Sequence, residues 1–115
     1  MTLALIISAA PSETMHQHAV RYAQATKNSQ HAVSMIYFVD QAASIALPEN
    51  QQAAAVWQEI ADQHAIALSV CSTAFADLPH RDNPSQQFEV IGHATWIAAT
   101  QKVARIASFP SQYHG

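Results

Sequence analysis

Residues 66–74 run Ile66-Ala67-Leu68-Ser69-Val70-Cys71-Ser72-Thr73-Ala74, and the assignment of this stretch decides the fold. An apolar run of strand type leads to the single cysteine, and small residues able to open a helix follow it. A buried parallel strand that passes directly into a helix is the building unit of open α/β sheets. Such sheets keep their chemistry at the carboxyl ends of their strands. Cys71 stands at such an end. Read functionally, it is the working residue and most of the chain is its scaffold. Read structurally, it only packs, because free cysteine is among the most buried residue types.

Upstream of this stretch a helix is expected from about Asn50 to His64, with Ala53, Val56, Trp57, Ile60 and Ala61 as its inward stripe. Val33 to Val39 reads as a strand, and Asp40 to Pro48 as an irregular connection with a short helical turn around Ala42 to Ile45. Leu3 to Ser8 is nearly continuous in apolar residues, as in a strand covered on both faces. Ser12 is the expected N-cap of the next helix, with Glu13 well placed for its dipole. Met15, Ala19, Tyr22, Ala23 and Thr26 then recur at helical spacing, and Asn28-Ser29-Gln30 closes that helix.

Downstream, Ser72 to about Ala76 forms a short helix or turn. Leu78 to Ser85 holds Pro79 and Pro84 with His80, Arg81, Asp82 and Asn83, the pattern of a mobile loop. Phe88 to Ile91 is a short extended piece. Gly92 to Gln101 reads as a third long helix with Ala94, Ile97 and Ala98 inward, and Ala104 to Phe109 as a strand stopped by Pro110. Strands alternating with helices predict a single α/β domain over residues 1–115. Its architecture is a three-layer, flavodoxin-like parallel sheet of at least four strands, with helices on both faces and right-handed crossovers.

Composition narrows the function. A length of 115 residues is that of one domain with a real core. The net charge of −3 and the lack of any Lys/Arg run argue against direct nucleic-acid binding. A single cysteine makes no internal disulfide, which fits a cytoplasmic protein. The opening Met1 to Ile7 lacks the positive start of a signal peptide and is too short to span a bilayer, so no membrane association is expected. Glycine occurs only at positions 92 and 115, so neither a P-loop nor a dinucleotide fingerprint exists, and no cofactor is called for. The seven histidines show no ligand spacing with one another or with Cys71, which gives them structural or solvated roles and no metal. His80, on the loop after Cys71, is the one placed to approach the thiol. Trp57 and Trp96 read as packing or interface residues, and Tyr22 and Tyr37 as core positions with a polar tip. Few charges and many Ala and Gln on the helices suit a surface buried in an oligomer.

What remains is the thiol. A free cysteine near pKa 8.5 is only a few per cent thiolate at neutral pH, and helix N-terminal N–H groups, here of Ser72, Thr73 and Ala74, would stabilise the anion. A single thiolate can accept a sulfur atom as a persulfide and pass it on by thiol exchange, because the partner brings the other thiol.

Residues 55–71, Ala55-Val56-Trp57-Gln58-Glu59-Ile60-Ala61-Asp62-Gln63-His64-Ala65-Ile66-Ala67-Leu68-Ser69-Val70-Cys71, resemble the DsrE/TusD family of sulfur-relay proteins. There a helix of the type AWQxLxxQHGVAL leads into a strand ending in the sulfur-carrying cysteine. Gln86-Gln87-Phe88-Glu89-Val90-Ile91-Gly92 is similar to the family's QQGFxLSGLG segment, and Leu3 to Ile7 fits its first strand. The resemblance implies a DsrE-like fold and a cytoplasmic sulfurtransferase with Cys71 as its catalytic residue. It also implies partners: donor and acceptor proteins with reactive thiols, and a homo- or hetero-oligomer, trimer or hexamer, with TusB- and TusC-like chains. Sulfur would be handed towards tRNA thiolation, or would move within the related assembly of sulfur-oxidising bacteria. Two departures border the cysteine. The Asp40 to Glu49 connection is shorter than the family's loop and lacks its aromatic and basic start. His80-Arg81 stands where the family often shows a basic pair. Both bear on partner and pathway rather than on fold. The competing class is a non-catalytic assembly subunit in which Cys71 is a buried packing residue. Burial among Leu, Ile and Val would favour that second class. A small-molecule binding module of flavodoxin-like shape is a third, weaker reading, which the glycine-poor loops do not advertise.

Overall fold

The computed structural model describes residues 2–26, 32–78 and 88–112. The expected loop around His80 and Arg81, the helix end at Asn28-Ser29-Gln30, and the residues Gln86 and Gln87 lie outside them. Five strands form one sheet: β1 (Thr2–Ile7), β2 (Ala32–Phe38), β3 (Ala67–Cys71), β4 (Glu89–Ile91) and β5 (Arg105–Phe109). Their spatial order is β4-β3-β2-β1-β5, and every neighbouring pair is parallel. The short extended piece at 88–91 is thus a fifth strand, paired through Ser69, Val70 and Cys71.

The crossover rule sets which face each helix covers. From β1 through β2 and β3 the chain steps in one direction, so right-handed connections put α1 (Thr14–Ala25) and α2 (Gln51–His64) on the same face. From β4 the chain returns across the whole sheet to β5, so α4 (His93–Ala99) must lie on the opposite face. Packing agrees. Leu3, Leu5, Ile7, Val33, Ile36, Phe38, Leu68 and Val70 share a core with Ala19, Val20 and Ala23 of α1 and with Trp57 and Ile60 of α2. Ala4, Tyr37, Cys71 and Ile91 face the other way and pack with Trp96 of α4. Each fully buried Leu or Ile of the first face contributes about 1.5–3 kcal/mol of burial.

Several local expectations are corrected. The cap of α1 is Glu13 rather than Ser12. Its carboxylate accepts the Ala10 N–H at 2.6 Å, the Gln112 N–H at 2.9 Å and the Ser111 hydroxyl at 3.0 Å, which ties the segment after β5 to the start of α1. The buried stripe of α1 is His16, Ala19, Val20 and Ala23, while Tyr22 is partly exposed and lies edge-on to Phe109. On α2, Val56 is exposed and Ala54 takes the inward position, because the helix rotates to bury Trp57 fully. The connection after β2 is a 3-10 helix, Asp40–Ala46, that buries Ala42, Ala43, Ile45 and Ala46. The short helix α3 (Ser72–Ala76) forms as read.

The last helix is shorter than expected. It stops at Ala99 because the Thr100 hydroxyl donates to the Trp96 carbonyl at 3.0 Å and the Gln101 amide to that of Ile97 at 3.2 Å, so side chains take up carbonyls at its end. Its expected inward set also fails: Trp96 is buried, and Ala94, Ile97 and Ala98 are exposed. One indole with a flat partner in Tyr37 sets the inward face of this short helix.

His16 is a structural histidine. Its Nδ1–H donates to the Ala9 carbonyl at 2.9 Å, and its Nε2 accepts the indole N–H of Trp57 at 2.9 Å, so the neutral ring is satisfied on both sides. Burial lowers its pKa against the opposing pull of the Ala9 hydrogen bond and Glu13. For the Glu13 carboxyl, burial pushes upward, but the donors from Ala10, Gln112 and Ser111 and the field of His16 outweigh it, so it sits below the usual range.

Two predictions follow from these positions. The folded His16 binds a proton less readily than the unfolded one, so its contribution is whole above an unfolded pKa of about 6.5 and is lost as pH falls below it. Thermal melts from pH 7.5 to 5 should fall with acid, and His16→Gln, which cannot titrate, should flatten that slope. The second concerns Ala65, the exposed C-cap of α2 in the left-handed region at φ 55° and ψ 49°. Ala65→Gly removes that strain at the cost of a looser unfolded chain, and urea unfolding should show a net gain of about 0.5–1 kcal/mol.

Candidate functional site

Cys71 is the last residue of β3, and its register partner on β4 is Ile91. Parallel pairing brings Tyr37 of β2 onto the same face, opposite Ser69, whose hydroxyl donates to the Ile36 carbonyl at 2.9 Å. The thiol therefore enters the layer under α4 rather than the larger core, and only 4% of Cys71 is exposed.

Cys71 is itself the N-cap of α3, and its side chain makes no capping hydrogen bond to that five-residue helix. The expected cradle of N–H groups from Ser72, Thr73 and Ala74 is therefore not what Sγ meets. Its partner is an imidazole: Sγ lies 3.8 Å from Nε2 of His93, within hydrogen-bond range for sulfur. His93 is the first residue of α4 and is exposed, so it bridges the buried sulfur and the surface.

Tyr37 completes the group. It is fully buried, and its hydroxyl donates to the Ile91 carbonyl at 3.5 Å, beside the Cys71 sulfur. Burial first, then the neighbouring Cys71 sulfur and its charge when ionised, raise its pKa well above the usual phenol range. Tyr37 is therefore a fixed donor. Trp96 stacks on it with ring centroids 4.9 Å apart and planes at 23°, and His93 meets it edge-on at 5.7 Å and 85°. An aromatic layer thus roofs the thiol and sets the angle of the imidazole.

Such a group can hold a thiol, donate a hydrogen bond to its sulfur and take its proton. The reading from sequence singled out Cys71 and overlooked His93, which it had placed among structural or solvated histidines. Twenty-two residues separate the two, and neither lies in a motif that links them. The available signal was positional: Gly92 sends the chain from the end of β4 into α4, beside the end of β3. His80 lies outside the described residues. Elsewhere, Ala46 to Pro48 and the outer side of α2 from Gln51 to Gln63 line an open groove of about 660 Å³, remote from the thiol.

No protein-family model matches this chain, and neither does any curated protein. Among solved structures, it is similar to the crystal structure of the YchN protein from E. coli, at a TM-score of 0.68 and 17% identity. The match covers 95% of this chain and 100% of that one. The likeness places the chain in the DsrE-like α/β fold. Within the described residues, no helix is long and apolar enough to cross a membrane.

Removing the roof should uncover the thiol. Trp96→Ala is expected to cost about 3–5 kcal/mol of stability. It should also let a bulky aromatic disulfide react with Cys71 well below the unfolding midpoint, where the parent chain reacts slowly; timed thiol titration in graded urea distinguishes the two.

Proposed function

We propose that this protein is a sulfur-relay carrier that holds sulfane sulfur as a persulfide on Cys71 and passes it to a partner thiol. The observation that supports it best is the company of the sulfur. Enclosure by apolar side chains alone would mark a packing cysteine; Val39, Ile91 and Trp96 do share its layer, but Sγ also contacts an imidazole and lies beside a buried phenol. The DsrE-like fold and the sequence resemblance around Trp57 to Cys71 point the same way. In this reading the chain acts in the cytoplasm, as a TusD-like member of a tRNA-thiolation relay or a DsrE-like member of a sulfur-oxidising one. It works in a trimer or hexamer, alone or with TusB- and TusC-like chains.

The second reading keeps its own observation. Cys71 is 4% exposed, which suits an assembly subunit with a structural thiol. Access under α4 decides between the two.

Incubation with a persulfide donor should add the mass of one sulfur atom to the intact chain, reversible by reductant. Cys71→Ser should abolish the adduct at a cost of about 1–3 kcal/mol, since a buried hydroxyl there is too far from His93 to keep the contact that sulfur makes at 3.8 Å. A wild type that stays unmodified under conditions that load a known carrier establishes the assembly-subunit reading instead.

A further inference from the structure

We propose that His93 is the proton-transfer residue of the Cys71 thiol, and that it connects this buried sulfur to solvent. The inference rests on the sulfur-carrier reading and names the acid–base partner that the chemistry needs. A thiol that attacks a sulfur must release its proton, and a group 4% exposed cannot hand it directly to bulk water. The described elements packed around Sγ narrow the choice. The layer that holds Cys71 takes Ala4 and Ile6 from β1, Met35 and Tyr37 from β2, Val39, Ile91 of β4, Trp96 of α4 and Val103. Of these only Tyr37 is titratable, and His93 of α4 contacts Sγ. α3 contributes Ala74. Glu89 of β4 and Asp77 after α3 are exposed. Tyr37 is fully buried and stays protonated with its O–H on the Ile91 carbonyl, so it offers no way out. His93 touches Sγ on one side and water on the other, and imidazole is the side chain that gives and takes protons near neutrality.

The step balances without any further reactant. In the tautomer protonated at Nδ1, His93 Nε2 accepts the Sγ proton. The sulfur's electron pair attacks the outer sulfur of a donor persulfide, R–S–SH, and forms the new S–S bond. The donor's S–S bond breaks, its electron pair stays on the inner sulfur, and the imidazolium returns the proton there to give R–SH. Cys71 now carries S–SH, with no net oxidation or reduction. The edge-on contact with the Tyr37 ring holds the imidazole in place for both transfers.

The test uses the whole chain and its His93→Gln and His93→Ala variants, with circular dichroism as a check on folding. Alkylation of Cys71 by iodoacetamide is followed by intact mass from pH 5 to 9. The expected result is a loss of about 10- to 100-fold in rate near neutrality for His93→Gln, which keeps the bulk of the side chain but cannot titrate. Added imidazole should restore much of the rate in His93→Ala. Equal rates for wild type and His93→Gln across the range, or a His93→Ala variant that reacts faster than wild type without imidazole, would overturn the proposal and leave His93 as a cover only. Persulfide loading of the wild type separates the two claims. Failure to load while His93→Gln still slows alkylation removes the sulfur-carrier reading alone; loading with no effect of His93→Gln removes the role of His93 alone.

Discussion

The stack of Trp96 on Tyr37 is the contact on which the candidate site depends. The sheet's first face is covered by two helices of 12 and 14 residues and a 3-10 segment. Among the described residues its second face has one helix of 7 residues, because only the return from β4 to β5 crosses on that side. So short a helix has little intrinsic stability and must be held by packing. Trp96 is its one buried side chain, and Tyr37 is what it lands on. That contact positions His93 at the start of the same helix, and His93 in turn meets Cys71. Sheet register, helix placement and thiol environment are therefore one arrangement.

Much of the fold was legible because the strong signals were local. Leu5, Ile7, Ile36, Phe38, Leu68 and Val70 sit in continuous apolar runs, and both faces of β1, β2 and β3 are covered, so periodicity and burial agree. The αL residue at the end of α2 was harder, since Ala65 carries none of the usual sign of a left-handed turn. α4 was misread in its inward face. Counting apolar positions favoured Ala94, Ile97 and Ala98, but the geometry is governed by where a single large aromatic finds a flat partner, and Tyr37 is 59 residues away in sequence.

The site was legible in one of its three members. Cys71 declared itself as a lone thiol at a strand end. His93 and Tyr37 come from other elements, and only the order β4-β3-β2 brings them to it. The expected activation by the helix that follows Cys71 fails for a reason of stereochemistry. The residue that caps a helix reaches its N–H groups only if its side chain turns back over the first turn, and this one faces the layer under α4. Polarity reaches the sulfur sideways, from a neighbouring strand and a distant helix.

The Glu13 clamp has a consequence for what this sheet can bind. The strand order reverses direction between β1 and β5, and open α/β sheets form their ligand crevice outside such a reversal, with an anion at the first helix's N-terminus. Here the protein supplies that anion itself. The Glu13 carboxylate sits at the mouth of α1 and takes the Ala10 and Gln112 N–H groups, backbone donors of the segments after β1 and β5 that border this reversal. The protein's own carboxylate thus stands at the position where open sheets of this order place a ligand's anion, and the Cys71–His93 pair stands two strands away, at the end of β3.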